Sequence, residues 1–156
     1  DSGGAARPGR QLMRALVQRV SRASVTVEGD PISEIGEGML VLVGIERGDG
    51  AAQVERMARR LLALRIFPGD KGDMETALGD REVLCVSQFT LQGDTSKGNR
   101  PGWGRAAPGA EAEPLWEQLC DLLDAKRGVF GAMMDVELVN DGPVTLVVDE
   151  VAPRTD

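Results

Sequence analysis

The sequence predicts a single α/β or α+β domain in which helices cover one side of a β-sheet. The chain has 156 residues, which is enough for one domain with a sizeable core. Segments with the two-residue period of strands outnumber the two segments with a helical period. Glycine is abundant at 20 residues and aromatic residues make up only 3%, so tight turns are favoured over stacked aromatic surfaces.

Strand patterns dominate the first third of the chain. Residues 14–20 and 23–28 alternate apolar and polar side chains and predict two half-buried strands that pair with each other. Residues 32–35 predict a shorter strand. Residues 39–45 are apolar except at Gly44, as in a strand that is covered on both faces.

Two stretches change to a helical period. Residues 49–64 place apolar side chains three and four positions apart, with Asp49 as a possible cap. Residues 111–126 repeat this spacing, and Pro114 is tolerated in the first turn. These two helices would form the layer that covers the sheet.

The remaining strands are predicted in the second half of the chain. Residues 65–67 predict a brief strand, and residues 82–89 predict a central strand rich in β-branched side chains. The last strands are predicted at residues 133–139 and 144–148, and the turn between them has the sequence Asn140-Asp141-Gly142-Pro143.

The ends of the chain are predicted to lie outside the domain. Residues 1–12 are rich in Gly, Ala and Arg without a pattern, which indicates a cloning remnant or a disordered extension. Residues 13–150 form the predicted single domain, and residues 151–156 a C-terminal tail. No apolar run approaches the roughly 18 residues of a membrane helix, and no signal peptide is recognisable, so we expect a cytoplasmic protein without membrane contact.

Composition excludes several classes of function. Lys and Arg number 18 against 25 Asp and Glu, a net charge of −7, which disfavours indiscriminate binding to nucleic acid or anionic membranes. The absence of histidine excludes Ser-His-Asp triads, Cys-His dyads and histidine-ligated zinc within one chain. Cys85 and Cys120 lack a CxxC spacing and lie in apolar segments, which indicates reduced core thiols.

The candidate reactive residues end the predicted central strand, and they are Ser87, Gln88, Phe89 and Thr90. Main-chain N–H groups near Gln88 and Phe89 would point into a cleft. Alternatively, the polar side chains of a strand terminus simply satisfy neighbouring backbone groups, and spacing alone favours this second interpretation. Thr90 as a nucleophile would need a base, which the sequence spacing does not place beside it.

Two charged segments are candidates for binding roles. Lys97, Arg100 and Arg105 lie in the long irregular segment 92–109, and they predict phosphate contacts or a solvated loop equally well. Such a long segment inside a compact domain is more often a functional loop than a linker. The acidic side chains of segment 70–75 lack the ligand spacing of an EF-hand, so no metal site is predicted there.

The Gly142-Pro143 bond allows a sharper hypothesis than an ordinary turn. About 5–6% of X–Pro bonds in folded proteins are cis. A cis bond here would aim two successive carbonyls the same way and form a rigid rim of main chain. The ordinary connection between two strands is the alternative.

Several stretches together resemble the D-aminoacyl-tRNA deacylase family. Residues 13–20 and 23–27 resemble its opening. Ser87-Gln88-Phe89-Thr90-Leu91 is similar to its first signature, and Asn140-Asp141-Gly142-Pro143-Val144-Thr145 to its second. The resemblance runs from residue 13 to about residue 149, essentially the whole predicted domain.

The resemblance implies a homodimer with a layered β/β/α fold of mixed sheets and two main helices. Such an enzyme hydrolyses the ester between a D-amino acid, or glycine, and the 3′ adenosine of tRNA, and it uses no cofactor and no metal. Gly142 and Pro143 would form a cis pair inserted from one subunit into the pocket of the other. Their carbonyls would hold the α-amino group and leave no room for an L side chain.

The resemblance also assigns roles to the other site residues. The catalytic set is the main chain of residues 87–89 with Thr90 alongside. Ala112 would lie at a helix N-terminus, where N–H groups face polar ligand atoms. Arg19 would brace the Gly-Pro turn, and Asn140 belongs to the same substrate-binding set. The adenosine 2′-hydroxyl would assist hydrolysis, while N–H donors stabilise the oxyanion.

The chain departs from the family pattern in two places. Gly72-Asp73-Met74-Glu75 stands for the usual Gly-Lys-Met-Asn, and Met133 stands where Asp is common. These departures concern rate and tRNA preference more than reaction class. Two alternatives remain, a non-catalytic nucleic-acid-binding module on the same fold and a deacylase of relaxed chirality in which Gly142-Pro143 is trans.

Overall fold

The structure is a computed structural model that describes residues 12–152. It consists of a six-stranded mixed sheet and two helices, which confirms the predicted α/β class. A short 3-10 helix, Phe89–Gln92, follows the fourth strand. The strands are β1 Leu12–Val27, β2 Asp30–Ile35, β3 Gly38–Gly44, β4 Glu82–Ser87, β5 Lys126–Arg127 and β6 Asp135–Val151, and the helices are α1 Ala51–Ala63 and α2 Gly109–Leu123.

The sheet is organised around β1. Its strand order is β2-β1-β3-β4-β5, and β6 also pairs with β1. The first half of β1 pairs antiparallel with β3 and the second half with β2, while β6 runs antiparallel beside most of β1. The pairs β3–β4 and β4–β5 are parallel.

The chain changes layer in the middle of β1. The first half of β1 contributes alternate side chains to a core shared with both helices. The second half contributes to a separate core with β2, β6 and the other face of β3 and β4. The register against β6 shifts on both sides of Val20, where the change occurs. The result is two strand layers and one helix layer, as the resemblance implied.

The prediction that residues 14–20 and 23–28 pair with each other is wrong. They are the two halves of β1, and each pairs with other strands. Likewise, the strands predicted at residues 133–139 and 144–148 are parts of one strand, β6, which begins only at Asp135 and pairs with β1 on both sides of the interruption. The polar interruptions that predicted chain reversals are irregularities within two long antiparallel strands.

The predicted turn at residues 140–143 is therefore a bulge. Gln18 pairs with Thr145 and Val20 pairs with Asn140, so β6 has four residues, 141–144, where β1 has only Arg19. The extra residues leave the ladder and protrude. We call residues 141–144 the bulge below.

Both predicted helices are confirmed with shifted ends. Helix α1 begins after Gly50, whose N–H donates to the Gln53 side chain at 3.0 Å, so Asp49 is not the cap. Helix α2 begins earlier than predicted, which moves Pro114 into its second turn. It ends before Asp124, whose φ is +50°.

The smaller differences concern strand ends. The brief strand predicted at residues 65–67 is wrong, because Phe67 makes only an isolated bridge with Thr76. The strand predicted at residues 82–89 ends at Ser87, and β5 was not predicted. Leu12 and Val151, which lie just outside the predicted domain limits, pair with each other. The predictions for residues 1–11 and 153–156 lie outside the described residues.

Two further expectations concern burial and membranes. Cys85 and Cys120 are buried, unbridged thiols. Within residues 12–152, neither helix combines the length and hydropathy that a membrane-spanning helix needs.

Candidate active site

A pocket of about 500 Å³ opens where β4 ends. Its walls come from β4, the 3-10 helix, the start of α2 and the segment that leads into β6. Among the described residues that line it, none has an ionisable side chain, so residues 12–152 supply the pocket with neither an acidic nor a basic side chain. The lining residues are Ile45, Val86, Ser87, Gln88, Phe89, Thr90, Ala107, Gly109, Ala112, Phe130, Gly131, Ala132, Met133, Met134 and Val136.

The 3-10 helix wall is anchored to the sheet by Gln92. This side chain is fully buried, and its Nε2 donates to the carbonyls of Leu12 and Gly44, at 2.9 Å in both cases. Gly44 also permits the close approach, because a Cβ there would lie 2.8 Å from the Leu91 Cβ. The wall is therefore fixed against the ends of β1 and β3.

In the 3-10 helix wall, the main-chain N–H groups of Phe89 and Thr90 have no acceptor within the helix. The Gln88 N–H donates to the Val43 carbonyl at 2.8 Å, so for Gln88 the interpretation in which its N–H points into a cleft is wrong. Phe89 and Thr90 open the 3-10 helix, and the first N–H groups of a helix have no intrahelical acceptor. These two groups are the candidate donors to an oxyanion.

The Thr90 hydroxyl is exposed and has no base beside it. Its oxygen accepts a hydrogen bond from Gln88 Nε2 at 2.5 Å. An amide N–H is a donor and cannot take the hydroxyl proton, so this contact orients Thr90 without activating it. The geometry favours a positioning role.

The N-terminus of α2 forms the opposite wall. Ala112 lies there as expected and is buried, but its N–H donates to the Pro108 carbonyl at 2.9 Å. The N–H groups without intrahelical acceptors belong to Gly109 and Ala110, at the start of the helix. Of these two residues, Gly109 lines the pocket. The expected donor is thus shifted towards the helix start.

Gly142 and Pro143 lie in the exposed bulge and do not line the pocket of their own chain. The bond between them is cis. Asn140 stabilises the bulge from its base, where its Oδ1 accepts the Val144 N–H at 3.0 Å and its Nδ2 donates to Thr145 Oγ1 at 2.8 Å. The bulge is therefore held in shape, and its residues 141–143 are exposed while Val144 is buried.

Arg19 connects the bulge to the body of the protein. It is only 3% exposed, and its Nε donates to the Asp141 carbonyl at 3.0 Å while its Nη1 donates to the Ile66 carbonyl at 2.8 Å. Its guanidinium also lies 3.5 Å from the Asp141 carboxylate and 3.3 Å from the Asp73 carboxylate. Arg19 thus links the bulge to the Ile66 carbonyl and does not line the pocket.

The predicted site residues therefore fall into two groups. Residues 87–90 and Ala112 meet at the pocket, whereas Arg19 and residues 140–143 meet at the bulge. Sequence reasoning missed Asp73 as a partner of Arg19, although the chain departs from the family pattern at that position. It also missed the pocket wall at residues 130–134, for which the pair Phe130-Gly131, with Gly131 at φ +77°, was the available signal.

Comparisons with known proteins agree with this architecture. The family described as D-Tyr-tRNA(Tyr) deacylase matches residues 16–149. A protein named D-aminoacyl-tRNA deacylase from Xanthomonas axonopodis pv. citri is 51% identical over 87% of this chain and 99% of its own length. One of the same name from Anaeromyxobacter dehalogenans is 51% identical over 88% of this chain and 97% of its own.

Two solved structures share the fold. One is titled c-Myc DNA Unwinding Element Binding Protein, with a TM-score of 0.82 and 43% identity over 86% of this chain and 97% of that one. The other is titled as a probable eukaryotic D-amino acid tRNA deacylase, with a TM-score of 0.78 at 16% identity over 88% of this chain and 99% of that one. At that identity, the second likeness concerns the fold alone.

Fold, pocket and relatives define an enzyme of the ester-hydrolase class. More particularly, the chain belongs to the D-Tyr-tRNA(Tyr) deacylase family, whose curated relatives are named D-aminoacyl-tRNA deacylases.

Proposed function

We propose that this protein hydrolyses the ester between a D-amino acid, or glycine, and the 3′ adenosine of tRNA. The observation that carries the proposal is the pairing of two features. One is a pocket lined by main chain and by side chains that do not ionise, and the other is an outward-facing bulge of main chain. A site that must accept many amino acids benefits from contacts to the atoms that all of them share.

The chemistry is assigned to the substrate and to main-chain donors. None of the pocket-lining residues in the described part of the chain can act as a general base, so the adenosine 2′-hydroxyl would assist the attack of water on the ester carbonyl. The N–H groups of Phe89 and Thr90 on one wall, and of Gly109 on the other, would stabilise the oxyanion. Such donors need no change of protonation state during the reaction.

Chiral selection is assigned to the bulge of a second subunit. Gly142 and Pro143 are exposed and lie outside their own pocket, so a twofold-symmetric dimer would place each bulge in the pocket of its partner. Among the described strands, β6 pairs only with β1, which leaves its other edge free. Val139 and Val147 on β6 are 41% and 55% exposed. An open apolar edge of this kind favours association.

A second candidate function is nucleic-acid binding without catalysis. The relative whose title names a DNA unwinding element is 43% identical to this chain, which is the observation in its favour. The net charge of −7 opposes a broad interaction with duplex DNA. A turnover measurement separates the two candidates.

The first experiment is hydrolysis of D-aminoacyl-, L-aminoacyl- and glycyl-tRNA by the purified protein over a range of protein concentrations. The proposal expects cleavage of the D and glycyl esters and sparing of the L ester. Equal cleavage of D and L esters would support ester hydrolysis but contradict the selection of D over L substrates. A folded protein that cleaves none of them would favour the binding function.

The cross-subunit arrangement is tested by mixing two defective chains. Gly142→Ala disrupts the bulge, and Ala132→Trp fills the pocket. Each homodimer is expected to be inactive. Co-refolded chains should recover about a quarter of the wild-type activity, because half of the dimers are mixed and each mixed dimer has one intact site. No recovery despite mixed dimers would show that the bulge does not act across subunits.

A further inference from the structure

We propose that Trp103, together with the cations of the loop 93–105, binds the single-stranded nucleotides that precede the terminal adenosine of the substrate. This inference rests on the function proposed above. It extends the site beyond the pocket, onto a surface that the reaction itself does not use.

The first observation is an exposed aromatic pair beside the pocket. The chain has three Phe and two Trp. Phe67 and Trp116 are buried and Phe130 packs on the core, whereas Phe89 and Trp103 are 53% and 42% exposed. These two exposed rings meet edge to face, with their centroids 5.2 Å apart. Because Phe89 lines the pocket, the pair continues the pocket wall outwards.

The second observation is that the loop holds Trp103 in place. A Cβ on Gly93 would lie 2.8 Å from the Trp103 ring, so the ring rests on bare backbone. Asp94 and Gly102 exchange two main-chain hydrogen bonds of 2.9 and 2.8 Å at the base of the loop. Arg47 Nε donates to the Gly104 carbonyl at 3.0 Å. The exposed ring is thus presented in one orientation before any ligand arrives.

The third observation is the charge of the loop. Lys97 and Arg100 are exposed and Arg105 is partly so, and none of the three forms an ion pair within residues 12–152. Asp94 is the acid closest to them along the loop, and its carboxylate accepts hydrogen bonds from the N–H and the hydroxyl of Ser96. The hydroxyl and N–H of Ser96 lower the pKa of Asp94, and the charges of Arg105 and Lys97 lower it further. Three cations without an ion pair among the described residues therefore lie in one loop of a chain whose net charge is −7.

An exposed ring beside unpaired cations matches the chemistry of a single strand. Successive bases stack on aromatic rings, while cations follow the phosphates, and each stacked base contributes about 1–3 kcal/mol. Paired bases in a duplex cannot offer their faces to Trp103. The acidic remainder of the protein restricts the attraction to this loop, next to the pocket that would hold the terminal unit.

The test compares two substrates with the same ester, D-aminoacyl-tRNA and D-aminoacyl-adenosine. Trp103→Ala should lower kcat/KM for the tRNA by about 5- to 150-fold, in proportion to one stacked base, and should leave the adenosine ester at its wild-type rate. Trp103→Phe should restore most of the loss. An equal loss with both substrates would show that Trp103 only supports the pocket wall, and no loss with either would also overturn the proposal.

The cations are tested by salt dependence. In Lys97→Ala/Arg100→Ala, the slope of log kcat/KM for the tRNA against log salt concentration should become shallower by about 0.7 for each phosphate that the variant no longer neutralises. The matched control is Arg59→Ala, which removes an exposed cation on α1 that has no ion pair in the described chain and does not line the pocket. An equal change of slope in this control would contradict a local interaction with the loop.

Failure of the proposed function is distinguished by direct binding. An unacylated RNA oligonucleotide ending in CCA should quench the fluorescence of Trp103, and Trp103→Phe should abolish that quenching. If the protein hydrolyses no ester but shows this quenching, the binding of single-stranded RNA at Trp103 is supported and the function proposed above is contradicted. Equal affinity for duplex and single-stranded oligonucleotides would overturn the surface.

Discussion

The pocket and the bulge position their groups by opposite means. The pocket is lined by main chain and by side chains that do not ionise, and its wall is held by the uncharged amide of Gln92. The bulge is held by a buried arginine whose guanidinium meets two carboxylates, those of Asp141 and Asp73. Charge is thus concentrated away from the place where the ester would react.

The difference indicates that the pocket and the bulge have separate roles. A charged group in the pocket would favour some amino acid side chains over others, whereas a main-chain surface treats them alike. The bulge has no neighbouring strand on its outer side among the described residues, so it needs the directional hydrogen bonds that a planar guanidinium provides.

The largest effect is expected from Gly142→Ala. Gly142 has φ +129°, and a Cβ there would lie 2.9 Å from Val144 Cγ2 and 3.1 Å from Arg19 Nη2. The bulge must shift, and a displacement of about 1 Å costs on the order of 100-fold in rate. We expect at least that loss in kcat/KM for D-aminoacyl-tRNA. The control is Gly29→Ala, where φ is +83° and nothing lies within 4 Å. Similar losses in both variants would contradict a special role for the bulge.

A smaller effect is expected at Arg19. Arg19→Met leaves the buried Ile66 carbonyl without its donor and should lower the free energy of unfolding by about 1–3 kcal/mol. It should also reduce the ratio of D to L hydrolysis, because the Asp141 carbonyl loses its anchor. Arg19→Lys keeps the positive charge but lacks the planar guanidinium with its several donors. Compared with Arg19→Met, its stability should therefore recover more than its D to L selectivity. Chemical denaturation and paired D and L assays measure the two effects. If Arg19→Met kept the wild-type ratio of D to L hydrolysis, the role of Arg19 would be limited to stability.

Glu150, at the other end of β6, should affect stability alone. Burial raises the pKa of Glu150, but hydrogen bonds from Arg60 and Arg56 at 2.8 and 2.9 Å outweigh it, so the pKa lies below its usual value. The stabilisation is therefore present above the pKa of the unfolded chain, about 4.3, and is lost as pH falls through the lower folded value. Glu150→Gln should lower Tm at pH 7, and its difference from wild type should shrink in acid. A change in D to L selectivity would contradict this separation.

The smallest effect is expected from Thr90→Ala. The Thr90 hydroxyl accepts a hydrogen bond and has no base beside it, so it positions rather than attacks. Its removal should cost less than about tenfold in kcat for D-aminoacyl-tRNA. Complete loss of activity in a folded variant would restore the nucleophile hypothesis.

The fold was predictable where local pattern determines it. Both helices and most strand segments follow from periodicity, since their buried faces repeat along the chain. The continuity of β1 and β6 was not predictable, because Ser21-Arg22 and Asn140–Pro143 have the local composition of turns. Only the pairing of two segments far apart in sequence converts these interruptions into bulges. The two-residue strand β5 is too short to leave a pattern.

The site was predictable residue by residue but not as an arrangement. The two signature segments were identified, yet the sequence alone could not show that Gly142 lies outside the pocket that contains Ser87. One of two interpretations left the Gln88 N–H group free, and the resemblance implied free N–H groups at Ala112, but each of the two groups has a main-chain acceptor. Asp73 reaches Arg19 through the fold of a loop, and no sequence spacing relates two residues so far apart.

The buried amide of Gln92 also determines how the pocket can respond to a ligand. Its two hydrogen bonds attach the 3-10 helix to the first residue of β1 and the last residue of β3. To swing that wall outward, the protein would have to break two buried hydrogen bonds, at about 1 kcal/mol for each. We therefore expect the pocket to keep a fixed outline, so that an ester that does not fit is excluded at entry and no moving lid accommodates it.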